Sequence, residues 1–238
     1  PPAVGMPEEK QEESKEEVKE VKLKADKALI IGAIVIILLF VAIFGLSYFF
    51  KQEKPETIDD LHQLNFKGKL KADQGYLYDG VYSFVKFDDL WYAQLVSPKG
   101  TRLYNIQFRY GPREVDNIDI KGSLNMGRFN NATEYYVTFT PHEGNNFSNM
   151  VLAVNDFNQQ MINIFFKKPI AACDRNETSA CANIPIITCD NTDKLVLYMK
   201  ESDNPIVYFD DNCIVVEGNG FDIVKGVDSV LYDFYKII

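Results

Sequence analysis

The stretch Ala28-Leu-Ile-Ile-Gly-Ala-Ile-Val-Ile-Ile-Leu-Leu-Phe-Val-Ala-Ile-Phe-Gly-Leu-Ser-Tyr-Phe-Phe50 contains no charged residue. As a helix it rises about 1.5 Å per residue, enough to cross a hydrocarbon layer of roughly 30 Å. A cleaved signal peptide would have a shorter apolar core and a small-residue cleavage site. Here the core is long and ends in Ser47, Tyr48, Phe49, Phe50 and Lys51. A core helix of a soluble domain would keep a polar face, and this run has none. It therefore reads as an uncleaved signal-anchor, with the lipid bilayer as partner of Ala28 to Phe50. Lys27 and Lys51 bracket it.

Flanking charge barely decides orientation. Lys19, Lys22, Lys24 and Lys27 precede the run; Lys51, Lys54, Lys67, Lys69 and Lys71 follow it. The positive-inside rule counts such residues on both sides. The chemistry of the downstream domain is more informative. All four cysteines, Cys173, Cys181, Cys189 and Cys213, lie in the last third of the chain. An even, clustered count suggests two disulfides, which form outside the cytosol. The rival readings are free thiols and a zinc site, and structural zinc sites use closer Cys pairs. Four cysteines allow three connectivities. Nearest-neighbour pairing, Cys173–Cys181 and Cys189–Cys213, is the expected one. In the chain-entropy model such loops stabilise by about 2.5 and about 3.5 kcal/mol. Three glycosylation sequons, at Asn131, Asn146 and Asn176, lie in the same domain. The reading is a cytoplasmic N-terminus and an extracytoplasmic C-terminal domain at the cell membrane.

The chain then divides into four parts. Residues 1–27 are Pro-, Glu- and Lys-rich and read as a disordered cytoplasmic tail. Residues 28–50 form the transmembrane helix, and residues 51–75 a polar stalk. Residues 76–238 form the folded domain, of ordinary single-domain size. Its first half alternates apolar and polar residues between turn signals. Strands are expected over Tyr82–Phe87, Leu90–Ser97, Arg102–Tyr110 and Asn117–Lys121, which together form an antiparallel meander. A strand over Glu134–Thr140 follows. Met150, Val154, Phe157, Met161, Ile164 and Phe165 then fall on one helical face. Lys167, Lys168 and Pro169 mark the end of that helix. After the Cys-bearing loop come a strand at Lys194–Lys200 and a hairpin turning at Asp210-Asp211-Asn212. The last element is a helix whose face carries Ile223, Val224, Val227, Val230, Leu231, Phe234 and Ile237. The fold class is α+β: a mixed, mainly antiparallel sheet with two amphipathic helices packed on one face.

Motifs for chemistry are few. His142-Glu143 lacks the second His of a helical metalloprotease site, and no Ser sits in a nucleophile elbow. His62 and His142 read as exposed loop residues. The Gly218-Asn219-Gly220 break reads as a strand-to-helix turn rather than an anion site. The acidic runs Asp190-Asn191-Thr192-Asp193 and Asp210-Asp211-Asn212 read as turns rather than calcium loops. No cofactor is expected. A net charge of −9 without a basic stripe argues against a nucleic-acid partner. Tyr76, Tyr78, Tyr82, Tyr92, Tyr104, Tyr110, Tyr135 and Tyr136 crowd the strand region, and aromatics on an outer face would suit a protein or glycan partner.

The motifs Ile170-Ala171-Ala172-Cys173, Asn176-Glu177-Thr178, Pro185-Ile186-Ile187-Thr188-Cys189-Asp190 and Asn212-Cys213-Ile214-Val215-Val216, with the ending around Asp228, Leu231 and Tyr232, form a pattern over roughly the last 70 residues. In these the chain resembles uncharacterised single-pass membrane proteins of small-genome archaea. The resemblance implies an anchor joined to a Cys-containing extracytoplasmic domain, and it carries no catalytic residue. The expected function is a non-catalytic binding or assembly domain of the cell envelope. Its partner would be an envelope protein, a glycan, or a second copy. The alternative is an extracytoplasmic hydrolase or thiol-disulfide enzyme whose site residues are scattered along the sequence.

Overall fold

The computed structural model describes residues 27, 29–46, 55–97, 100–140 and 147–238. The tail, both ends of the apolar run, His142 and the Asn146 sequon lie outside the described residues. The chain forms two compact units, Pro1–Lys54 and Pro55–Ile238. In the first, helix α1 (Leu29–Leu46) has a mean hydropathy of 3.3, and none of it is buried. It is long and apolar enough to cross a membrane.

The second unit is α+β, as the sequence pattern predicts. Among the described residues ten strands divide between two sheets. In the first sheet β1 (Gly75–Tyr78), β2 (Tyr82–Phe87), β3 (Leu90–Val96) and β4 (Leu103–Phe108) form an antiparallel meander in chain order. The second has six strands in the order β5-β9-β10-β8-β6-β7: β5 (Asp119–Leu124), β6 (Glu134–Phe139), β7 (Lys168–Cys173), β8 (Leu195–Glu201), β9 (Ile206–Asp211) and β10 (Cys213–Gly218). Only β9 and β10 pair antiparallel; the other four pairings are parallel.

Helices α4 (Phe147–Asn163) and α5 (Phe221–Phe234) are shared by both sheets. Phe84 and Phe108 of the meander meet Tyr232 of α5 at ring distances of 5.8 and 4.3 Å. Phe234 of the same helix stacks on Phe209 of the large sheet at 6.3 Å. One continuous apolar core runs through all these layers. The outer face of the meander is covered by α2 (Ile58–Phe66), whose His62 and Asn65 reach Ser83. The far face of the large sheet carries a second cluster of Val196, Cys213 and Val215, covered by Ile187 and Cys189 of the Cys-bearing loop. That loop is fastened by disulfides Cys173–Cys181 and Cys189–Cys213, with Cα separations of 5.9 and 5.6 Å.

Four findings depart from the sequence-based expectation. Residues 58–66 form a capped helix inside the compact unit rather than stalk, because Thr57 and Asp60 build a reciprocal capping box. His62 is fully buried rather than exposed. Asn117–Lys121 does not continue the meander. The 3-10 turn Pro112–Glu114 redirects the chain, held by Trp91 Nε1 and Gly111 N donating to Glu114 Oε2 at 2.7 Å each. The strand there is β5, and it joins the other sheet. Lys168–Cys173 is a strand although it contains Pro169. It is the terminal strand of the sheet, where a missing N–H is tolerated.

Candidate functional site

Helix α3 (Met126–Asn131) starts at Asn125, whose side chain accepts from Arg128 N at 3.1 Å. A shallow groove of about 770 Å³ opens between this helix, the start of β6 and the start of β8. Asn125, Arg128, Asn131, Glu134, Asp193 and Lys194 supply its polar lining. Arg128 lies 3.1 Å from Asp211 and 3.9 Å from Asp193. Lys194 lies 3.5 Å from Glu134. The fold thus brings together two acidic runs that are far apart in sequence. Both act as turns: Asn212 Nδ2 donates to the carbonyls of Thr192 and Lys194, and Asn191 Oδ1 accepts from Thr188 N. Among the described residues no three metal-ligating side chains converge on one point.

The groove offers donors and acceptors of both charges, with amide side chains between them. That set can hydrogen-bond a neutral polar ligand, such as a sugar or a peptide backbone, in either sense. The groove's rim continues into the α4–β7 corner. Lys167 Nζ donates to the Ala132 carbonyl at 2.7 Å and Lys168 N to the Thr133 carbonyl at 2.8 Å. Burial lowers the Lys167 ammonium below its ordinary value. Between helix and strand stands Phe166, 83 % exposed, with a left-handed φ of 55°. Such a backbone conformation costs a non-glycine residue about 1–2 kcal/mol. Ile162, one turn earlier, is also exposed. Asn131, a sequon residue, sits in the groove wall and is exposed; Asn176 is exposed in the loop closed by Cys173–Cys181.

Two other polar clusters are paired within the fold. Asp228 of α5 is 1 % exposed, and its Oδ2 accepts from the backbone N–H groups of Arg109 and Tyr110 at 3.1 and 2.9 Å. Burial pushes its carboxyl up to about 8, against the pull of those two bonds. Arg109 also pairs with Asp156 of α4, so the end of β4 is tied to both central helices. The second cluster lies at the carboxyl ends of the parallel strands. Asp174 accepts from Thr140 and Tyr198 hydroxyls at 2.7 and 2.8 Å and pairs with Arg175 at 3.1 Å. Burial acts to raise its carboxyl, but these partners outweigh it and hold the group below the carboxylate range. Every acceptor there is engaged inside the fold. The pattern is that of a structural tie for the residue after Cys173.

Sequence spacing alone flagged the acidic runs and Asn131, but neither Arg128 nor Phe166. Arg128 sits in a short helix with no apolar period, and Phe166 is one of two adjacent Phe residues at a helix end. No family model, curated protein or solved structure matches this chain.

Proposed function

We propose that this chain is a membrane-anchored binding or assembly protein of the cell envelope, non-catalytic, with the unit Pro55–Ile238 presented outside the cytoplasm. The hydropathy of α1 supports the anchor. The two disulfides support an oxidising compartment. Asn131 and Asn176 are then candidate glycosylation sites, and kinship with the archaeal membrane proteins named above belongs to the same reading. The observation that carries the binding role is Phe166. The fold leaves Phe166 83 % exposed in a strained backbone, beside a groove of mixed polarity. Strain at an exposed aromatic points to use by a partner. That partner is an envelope protein, a second copy, or a glycan seated in the groove.

The test is isolation of the full chain from its native membranes, as wild type and as Phe166→Asp. Cross-linking and sedimentation would read associated protein, and glycan arrays would read the groove. The expected result is a stoichiometric partner, a dimer or a glycan signal that the substitution reduces at least about tenfold, as loss of a central aromatic contact does. A wild-type chain recovered alone, monomeric and silent on the array overturns the reading.

A further inference from the structure

Strand β4 is an edge of the meander, and the direction of its backbone groups follows from its register. Ser97 N donates to the Arg102 carbonyl at 2.8 Å, and the pairs from Val96↔Leu103 to Trp91↔Phe108 continue from there. In an antiparallel pair, residues whose N–H and C=O meet the partner strand alternate with residues whose groups point away. Arg102, Tyr104, Ile106 and Phe108 therefore bond to β3, and Leu103, Asn105, Gln107 and Arg109 point outward. Two contacts agree: Gln160 Nε2 donates to the Gln107 carbonyl at 2.9 Å, and Arg109 N donates to Asp228 at 3.1 Å. Helices α4 and α5 thus close the edge from Gln107 onward. Among the described residues nothing meets the outward N–H and C=O of Leu103 and Asn105. Their surroundings are apolar and exposed: Leu103 is 60 % exposed, Val96 beside it 61 % and Tyr104 41 %. Sheet edges are ordinarily guarded by charge, by Pro or by a covering loop. Strand β7 has Pro169 and the bridge from Cys173 to Ile186, whereas β4 carries no charge from Leu103 to Phe108.

We infer that this open half of β4 pairs antiparallel with the same half of a second copy, Tyr104 opposite Tyr104 on a two-fold axis. The inference rests on the assembly role proposed above and names its partner. In that register Leu103 of each copy faces Asn105 of the other, and their outward N–H and C=O groups satisfy one another with none left over. A two-fold contact requires a self-complementary patch of this kind. The two Tyr104 side chains form a closely spaced pair, and the two Leu103 side chains are diagonal neighbours. A longer strand from another protein would run on to Gln107 and Arg109, where Gln160 and Asp228 already hold the backbone. The self-pair stops short of them. Charge favours the same occupant. The chain has a net charge of −9, yet residues 101–110 hold no acid, so two copies meet there with little repulsion. Asp59, which reaches this edge from α2, is already held by Gln94 Nε2 and Asn105 Nδ2 at 3.2 and 2.9 Å.

The experiment uses the full chain reconstituted in liposomes, with the photo-cross-linker benzoylphenylalanine in place of Tyr104. The expected product is a dimer whose cross-link maps to residues 101–107 of the second copy. Leu103→Pro removes an outward N–H and leaves the ladder to β3 intact, so the yield should fall at least about tenfold. Energy transfer between two pools of chain labelled at the N-terminus reads a pair of charge variants. Tyr104→Lys and Tyr104→Glu should each weaken the dimer about fivefold, because like charges stand directly opposite, and an equal mixture of the two should restore it. The near-ultraviolet signal of Trp91 checks that each variant is folded. No dimer cross-link, a cross-link that maps elsewhere or to another protein, or a mixture that does not recover transfer overturns the inference. Phe166→Asp is measured alongside in native membranes. A partner lost with Phe166 while residue 104 captures nothing refutes only the strand pairing; silence at both refutes the assembly role as well.

Discussion

At the scale of the residue, Asp228 is a group whose chemistry the fold alters strongly. One of its oxygens accepts both N–H groups at the end of β4. Asn presents the same carbonyl oxygen without a titrating proton, so Asp228→Asn keeps both bonds. The folded carboxyl titrates at about 8, above its ordinary 3.8. Its contribution is therefore full below about 4 and is lost as pH rises towards 8. Denaturant titrations should show Asp228→Asn more stable than wild type at pH 8 and level with it at pH 4. Asp228→Leu leaves two buried donors without partners and should cost about 3 kcal/mol or more near pH 4, where the wild-type carboxyl contributes in full, and less towards pH 8. His62 has the opposite sign. Its Nδ1 lies 2.8 Å from Ser83 Oγ, and burial lowers the ring to about 4, against the pull of Asp59. The unfolded ring takes a proton below about 6.5 and the folded one only below about 4, so stability falls as pH drops through that window. The loss reaches about 3 kcal/mol. His62→Gln should flatten this limb of the stability–pH curve.

At the scale of the element, the sequence pattern reveals which residues α4 and α5 present to a core but not how many cores they serve. The apolar face of α5 was legible from Ile223 to Leu231, and those side chains are buried. Asp228 and Ser229, on its remaining side, are buried as well, because the meander packs there. A hydrophobic period reports one face, and a helix held between two sheets needs two. The same limit hid β7, whose Lys-Lys-Pro start looks like a break until the strand is placed at an edge. It hid α2 too, because a nine-residue helix with one buried His has little periodicity to read. The groove was half legible: its acids stand out as turn runs, but their meeting at Arg128 depends on sheet order, which no local spacing contains. Gly226 tests the two-sided packing. A Cβ there would lie 2.6 Å from Val216 Cγ1 on β10. Gly226→Ala gains helix propensity, yet should destabilise by about 1–3 kcal/mol through overpacking. Thermal unfolding measures the sign: a rise in Tm would show that the helix has room to move off the sheet.

At the scale of the whole molecule, the fold is closed by its covers rather than by its sheets. The meander is covered by α2, and the large sheet by a loop that makes few strand pairings of its own beyond the bridge from Cys173 to Ile186. What fixes that loop is covalent. Cys173 and Cys213 are fully buried at the ends of β7 and β10, and their partners pin the loop at both ends. Removing the Cys189–Cys213 bridge should cost about 3.5 kcal/mol, and the Cys173–Cys181 bridge about 2.5 kcal/mol, in the chain-entropy account. The consequences should differ in kind. Loss of the first uncovers Val196 and Val215, so Cys189→Ser with Cys213→Ser should bind a hydrophobic dye while the meander keeps its near-ultraviolet signal from Trp91. Loss of the second frees the Asp174 tie and the edge of β7, and proteolysis near Arg175 should accelerate with little dye binding. If both double variants bind dye equally and lose the Trp91 signal together, the covers and the core form a single cooperative unit and the layered account of stability fails.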